Sequence, residues 1–291
     1  MIGQVVVSGL LIGGIYALVA VGLNIIFGVL RIINFAHGEY LMVSMYGAYW
    51  LWRLGLDPYM SIVLVVPAMA VLGALSERYL IRYTLTAPAH VKIFVTMGLS
   101  IALQNLALLF FTADYLNVRT AYQTSTIALS GLAISVPRMI ALIATLVTAA
   151  GLFLFLKYTD FGRAIRATAQ DGVTARLMGI NVDRIYMYTF AIGSAFVGLA
   201  GCLLVPVYYI YPTVGIDFVV VAFVVVVLGG LGSVPGAIIG GLLIGVVEQL
   251  SGFFVDTSLR QVVYFLVFIV VLAVRPAGLL GQRGAEEIGL K

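Results

Sequence analysis

The chain has 291 residues, of which 63% are hydrophobic and only 10% charged, with a mean hydropathy of +1.14. An ordinary soluble domain carries about 25% charged residues, so this much apolar surface cannot close into one water-facing globule, and a soluble enzyme is excluded in favour of an integral membrane protein. The net charge of +4 falls mostly between apolar runs, where basic residues orient a membrane protein, and no nucleic-acid partner is expected.

Nine apolar runs follow in chain order, over residues 4–28, 39–52, 59–76, 93–111, 138–156, 185–205, 217–229, 235–253 and 260–274. Together they predict an all-α polytopic bundle of about eight or nine crossings, one transmembrane domain over residues 1–291. The 32 glycines lie among these runs, as in helical bundles where small residues allow close approach. A β-barrel would need short alternating segments instead. No Lys or Arg precedes Arg31, so the basic n-region of a cleavable signal peptide is missing and residues 4–28 read as a retained first crossing.

The runs 39–52 and 217–229 are shorter than the roughly 20 residues of a full crossing. Each adjoins a break, Asn34-Phe35-Ala36-His37-Gly38-Glu39 and Gly229-Gly230-Leu231-Gly232-Ser233-Val234-Pro235-Gly236. Paired interruptions of this kind point to broken helices, inverted repeats and a midplane pathway; two ordinary inter-helix turns would look the same in one sequence. Asn34, His37, Gly38, Glu39, Gly230, Gly232 and Ser233 are the pathway candidates. A half-helix starting near Gly38 would turn its positive end toward a substrate carboxylate, or His37 and Glu39 would merely cap a helix. Gln104 and Asn105, mid-span, read first as hydrogen-bonded bridges between helices.

Loop charge sets the orientation. Arg78, Arg82 and Lys92 lie in the segment 77–92, and Lys157, Arg163, Arg166, Arg176 and Arg184 in 157–184, so both belong in the cytoplasm with the tail from Arg275 to Lys291. Residues 112–137 and 206–218 then face the opposite, periplasmic side, and an odd crossing count puts the amino terminus outside. Within the outer stretch, Ile127, Leu129, Leu132, Ile134 and Val136 alternate as in a small hairpin. The pairs Gly9/Gly13, Gly236/Gly240 and Gly241/Gly245 each put two small residues on one helical face for packing. Cys202, the one cysteine, has no disulfide partner and reads as a packing residue; His37 and His90 stand too far apart to suggest a metal site.

From Phe161 to Ile180 the segment combines good helix formers, a turn at Gly172 and a second short helix, Val173 to Met178, ended by Gly179. Small Ala175, apolar Leu177 and Met178 and the arginines would suit a rigid stub passing force from a soluble motor. A loop that only carries orienting charge accounts for the same composition.

The motifs Asn34–Glu39, Gly162-Arg163-Ala164-Ile165-Arg166-Ala167, Ala175–Arg184, Leu228–Ala237 and Arg275-Pro276-Ala277-Gly278-Leu279-Leu280-Gly281 run in an order that resembles the permeases of bacterial ABC importers for branched-chain amino acids. The likeness is to the shorter of that system's two permease subunits. The resemblance implies a multi-pass protein of the inner membrane that works with a second permease subunit, two cytoplasmic ATPase subunits and a periplasmic solute-binding protein. It also implies that 157–184 is a cytoplasmic coupling segment, with Arg163, Arg166, Ala169, Ala175, Arg176, Leu177, Gly179 and Ile180 against an ATPase. No Gly-x-x-x-x-Gly-Lys-[Ser/Thr] occurs, so the chain has no phosphate cradle and expects no cofactor of its own; ATP and Mg would be bound by the ATPase subunits. A secondary transporter or facilitative channel for small polar solutes such as amides or urea would share broken helices but need no ATPase partner.

Overall fold

The structure, a computed structural model, describes residues 2–129 and 132–281. Besides two short 3-10 turns, Ile81–Thr84 and Thr257–Leu259, eleven α-helices and one hairpin make up its regular structure: α1 Ile2–Leu30, α2 His37–Arg53, α3 Ile62–Tyr79, α4 Ala89–Phe111, β1 Thr126–Leu129, β2 Leu132–Ser135, α5 Val136–Tyr158, α6 Asp160–Gln170, α7 Gly172–Leu177, α8 Val182–Leu204, α9 Val214–Gly229, α10 Val234–Phe254 and α11 Arg260–Val274. Six of the helices, and α11 together with the turn before it (Thr257–Val274), are long and apolar enough to cross a membrane, and α9 is a shorter apolar helix. Each of the nine apolar runs lies on one helix, α1 to α5 and α8 to α11, with ends displaced by a few residues.

Helix α1 is apolar on every side and buried from Leu11 to Ile26, as a helix without a polar face must be. Its closest neighbour is α10, which runs antiparallel to it. A Cβ added at Gly13 would lie 2.6 Å from the Gly241 carbonyl oxygen, one at Gly9 would lie 2.6 Å from Val246 Cα, and one at Gly241 would lie 2.6 Å from Ala17 Cα. Gly236 and Gly240 do the same between α10 and α9, against Gly229 and Val225. The glycine pairs are thus the contact surface, since backbones approach this closely only where side chains are missing. Cys202 is fully buried and accepts a hydrogen bond from Ser61 Oγ at 3.6 Å where α8 lies along α3.

Around this centre, α3, α4 and α11 turn apolar side chains outward: Val63, Leu64 and Val71; Phe94, Ile101 and Leu109; Leu266, Ile269 and Val270. Faces of this composition belong against lipid or another membrane helix.

The two ends of the bundle differ. At one, the Arg31 guanidinium donates to the carbonyls of Ala169 and Gln170 at 3.2 and 3.4 Å. Arg82 there reaches Glu77 at 2.9 Å and the Asp183 carbonyl at 3.1 Å, and Leu279 N and Leu280 N donate to the carbonyls of Leu228 and Gly229. This is the basic end. At the other, the hairpin pairs Ile127 with Ile134 and Ala128 with Ala133, and Gln4 brackets Ala133 with hydrogen bonds of 2.7 and 2.9 Å. Leu116 pairs with Ile210 and Tyr122 donates to Asp57, so the stretches expected on one side do meet. Val136, expected to continue the alternation, opens α5 instead because Pro137 follows it and suits a first helical turn. Residues 282–291, with Glu286 and Glu287, and the hairpin tip at Ser130 and Gly131 lie outside the described residues.

Candidate functional site

Four places on the bundle carry unusual chemistry: the two interrupted stretches, the stub at the basic end and an aromatic cavity toward the hairpin end.

At the first break the chain leaves α1 at Arg31, whose φ of +54 lies in the left-handed region, and returns along α1 before α2 begins. Asn34 Oδ1 accepts from Ala36 N at 3.1 Å, which closes the turn. His37 Nε2 meets the Val19 carbonyl at 3.0 Å, and since a carbonyl can only accept, Nε2 carries the proton. Gly38 and Gly215 face each other so closely that a Cβ on either would collide with the carbonyl of the other, which brings the first turns of α2 and α9 together in the bundle. Glu39 is 1% exposed; its Oε1 accepts from Gln104 Nε2 at 2.7 Å and Ser100 Oγ at 3.2 Å, both on α4. Gln104 therefore bridges two helices, while Asn105 bonds only the Ile101 carbonyl of its own helix, at 2.8 Å.

The second break is clamped by Asn24 of α1. Asn24 Nδ2 donates to the carbonyls of Ser233 at 2.7 Å and Gly230 at 3.4 Å, and its Oδ1 accepts from Gly232 N at 2.5 Å. Gly230 and Gly232 have φ of +108 and +80, a conformation open to glycine, and Ser233 Oγ caps α10 by accepting from Gly236 N at 3.2 Å. The two breaks both rest on α1 but at different levels, the first near Val19 and Gly22, the second near Asn24 and Gly28.

The stub is tightly built. Thr159 Oγ1 accepts from Gly162 N at 2.9 Å at the start of α6, and Asp171 Oδ1 accepts from Val173 N and Thr174 N at 2.8 and 3.2 Å at the start of α7. The Thr174 hydroxyl, which donates to Asp171 Oδ2, and after it these two backbone bonds hold the Asp171 carboxyl below the usual carboxylate range. At the far end Gly179, at φ +84, lets Ile180 N reach the Ala175 carbonyl at 3.1 Å and Gly179 N reach the Arg176 carbonyl at 3.1 Å, a Schellman close. Arg176 pairs with Asp183 at 2.8 Å. Of the residues singled out above, Ala175 is buried, Ala169 and Ile180 half-buried, and Arg163, Arg166, Arg176, Leu177 and Gly179 exposed. Val173, Leu177 and Met178 stand outward at 74%, 83% and 78% exposure.

Toward the hairpin end a cavity of about 330 Å³ opens between Tyr16 of α1, Tyr115, the Tyr208–Tyr211 segment and the first turns of α9. Its lining is Tyr16, Tyr115, Tyr208, Tyr209, Tyr211, Val214, Asp217 and Phe218, and none of the pathway residues proposed at the two breaks belongs to it. Hydropathy passes over these tyrosines, which singly read as interface residues. The signal that could have marked them is the Val207–Tyr211 run between Pro206 and Pro212, with Asp217 in the next apolar segment.

A bundle of long apolar helices, with the two interruptions lying between α1 and α2 and between α9 and α10 and a capped basic stub at one end, defines a polytopic membrane permease. The family described as "Branched-chain amino acid transport system / permease component" matches residues 5–272, and the chain belongs to it. The high-affinity branched-chain amino acid transport system permease protein LivH of Salmonella typhimurium is 34% identical over 98% of this chain and 97% of its own length. BraD of Pseudomonas aeruginosa, named likewise, is 33% identical over the same shares. LivM of Escherichia coli K12, also named a permease protein of that system, is 32% identical over 48% of this chain and 33% of its own length. No solved structure matches the chain significantly.

Proposed function

We propose that the chain is one of two permease subunits of an ATP-driven importer of branched-chain amino acids in a bacterial inner membrane, and that α6 and α7 seat in a groove of a cytoplasmic ATPase subunit. The observation that carries this reading is the stub: Val173, Leu177 and Met178 stand bare along α7, which is capped at both ends, and the preceding α6 is tied to the end of α1 through Arg31. Exposed apolar knobs on a rigid base are what a soluble partner grips. Family membership and likeness to LivH support the substrate class, and the partial likeness to LivM supports a second permease subunit. ATP and Mg then belong to the ATPase pair, and a periplasmic binding protein delivers the solute at the hairpin end.

In the mechanism that follows, closure of the ATPases displaces the stub. Arg31 hands that displacement to the end of α1, where the first break begins, and Asn24 and Gly28 of the same helix hold the second. The test is copurification and uptake. Leu177→Glu with Met178→Glu is expected to leave the chain in the membrane while ATPase recovery and ATP-dependent leucine uptake fall at least about tenfold, since a buried unpaired charge removes an interface anchor. Unchanged recovery and uptake in that variant would remove the coupling assignment, and solute transport by the isolated chain without ATP would favour a facilitative channel.

A further inference from the structure

We propose that the tyrosine-walled cavity is a subsite for the ammonium group of a neutral amino acid on its way through the chain. The lining carries one charged side chain, Asp217, and that charge is negative. Asp217 stands in the first turn of α9, where the positive end of the helix favours a carboxylate. Tyr211 OH donates to Asp217 Oδ2 at 2.5 Å, which fixes the carboxylate at the rim of the cavity while Asp217 itself stays exposed.

The walls complete the site. Tyr16 and Tyr208 each set a ring against Phe218, at centroid distances of 6.3 and 5.3 Å, and Tyr115 lies 4.7 Å from Tyr211. The first two pairs meet edge to face and the third is tilted, an arrangement that leaves ring faces free for a cation and apolar surface for an aliphatic side chain. Arg138, Arg260 and Glu248 lie within charge range of Tyr208, and none of them lines the cavity. Within the lining itself a zwitterion entering carboxylate first meets no positive side chain and one negative one, so the ammonium leads. The volume admits a small amino acid with room to spare, as a transit site held by one charge requires.

The choice of solute rests on the importer reading, but the test does not need ATP. In membranes holding the whole transport system, Tyr209→Cys is made in a Cys202→Ser background, with Tyr115→Cys as a second reporter in case the first fails to fold; both tyrosines are well exposed. Relative to their rates with free cysteine, ethylammonium methanethiosulfonate is expected to label the reporter at least about tenfold faster than the ethylsulfonate reagent, because the two differ by two unit charges a few ångströms from Asp217. Adding Asp217→Asn should erase that preference. Leucine and 3-methylbutylamine should protect the reporter, whereas 4-methylpentanoate, which lacks the ammonium, should not. Equal labelling by both reagents, or equal protection by the amine and the acid, overturns the subsite. If that happens with ATP-driven uptake intact, the importer reading survives alone; protection by leucine without any ATP-dependent uptake supports the subsite and sinks the importer.

Discussion

Gly13 and Asn24 show how single positions on α1 hold the bundle. With the Gly241 carbonyl 2.6 Å from where its Cβ would be, Gly13→Leu has to separate α1 from α10, and overpacking of this kind costs about 1–3 kcal/mol. Thermal unfolding in detergent should show a clearly lowered midpoint for Gly13→Leu. By contrast, Gly98→Ala and Gly151→Ala meet nothing within 4 Å and should unfold at the parent temperature or slightly above, since alanine favours helix by roughly 0.5–1 kcal/mol. Asn24→Leu removes three hydrogen bonds at once, each contributing about 0.5–1.5 kcal/mol net. Its expected result is faster amide exchange at Gly232 and reduced uptake without loss of membrane insertion; unchanged exchange would show that the glycines hold their turn unaided. Hydropathy flags Asn24 only as a polar residue in a span. Its partners lie more than 200 positions away, and no local pattern encodes such a pairing.

Helix by helix, most of the architecture is legible in the sequence because the signal is a long apolar run: residues 185–205 become Val182–Leu204 and 260–274 become Arg260–Val274. The short second run becomes a 17-residue helix that begins inside the bundle at His37. The aromatic cavity was not legible, because Tyr16, Tyr115 and the Tyr208–Tyr211 segment meet only once three distant parts of the chain fold together. At the stub, the folded Asp171 carboxyl titrates below its ordinary value, so its ionised, capping form is favoured in the folded helix. That contribution is complete above the unfolded pKa and disappears as pH falls through the lowered folded one. Protection of the Val173 and Thr174 amides should accordingly stay constant from neutral pH down to the ordinary carboxylate range and be lost only below it. Asp171→Ala should lose that protection at neutral pH. Arg31→Ala removes the tie to the Ala169 and Gln170 carbonyls; it is expected to keep ATPase binding yet lower leucine uptake per ATP hydrolysed, and an unchanged ratio would show that the stub moves α1 by another route.

Across the whole molecule, Arg31, Arg82, Arg163, Arg166, Arg176 and Arg184 gather at one end, and Gln4, the hairpin and the Leu116–Ile210 pairing at the other. Charge asymmetry of this sort sets the side on which a bundle's end resides, and the transport mechanism depends on the stub facing the cytosol. The direct measurement is labelling of Met178→Cys, an exposed stub position, by a membrane-impermeant thiol reagent in a Cys202→Ser background. Strong labelling in inside-out vesicles, diminished when the ATPase subunits are bound, with none in intact spheroplasts, is the expected result. Labelling from the outside of intact spheroplasts would contradict it, since no cytosolic ATPase could then grip the stub.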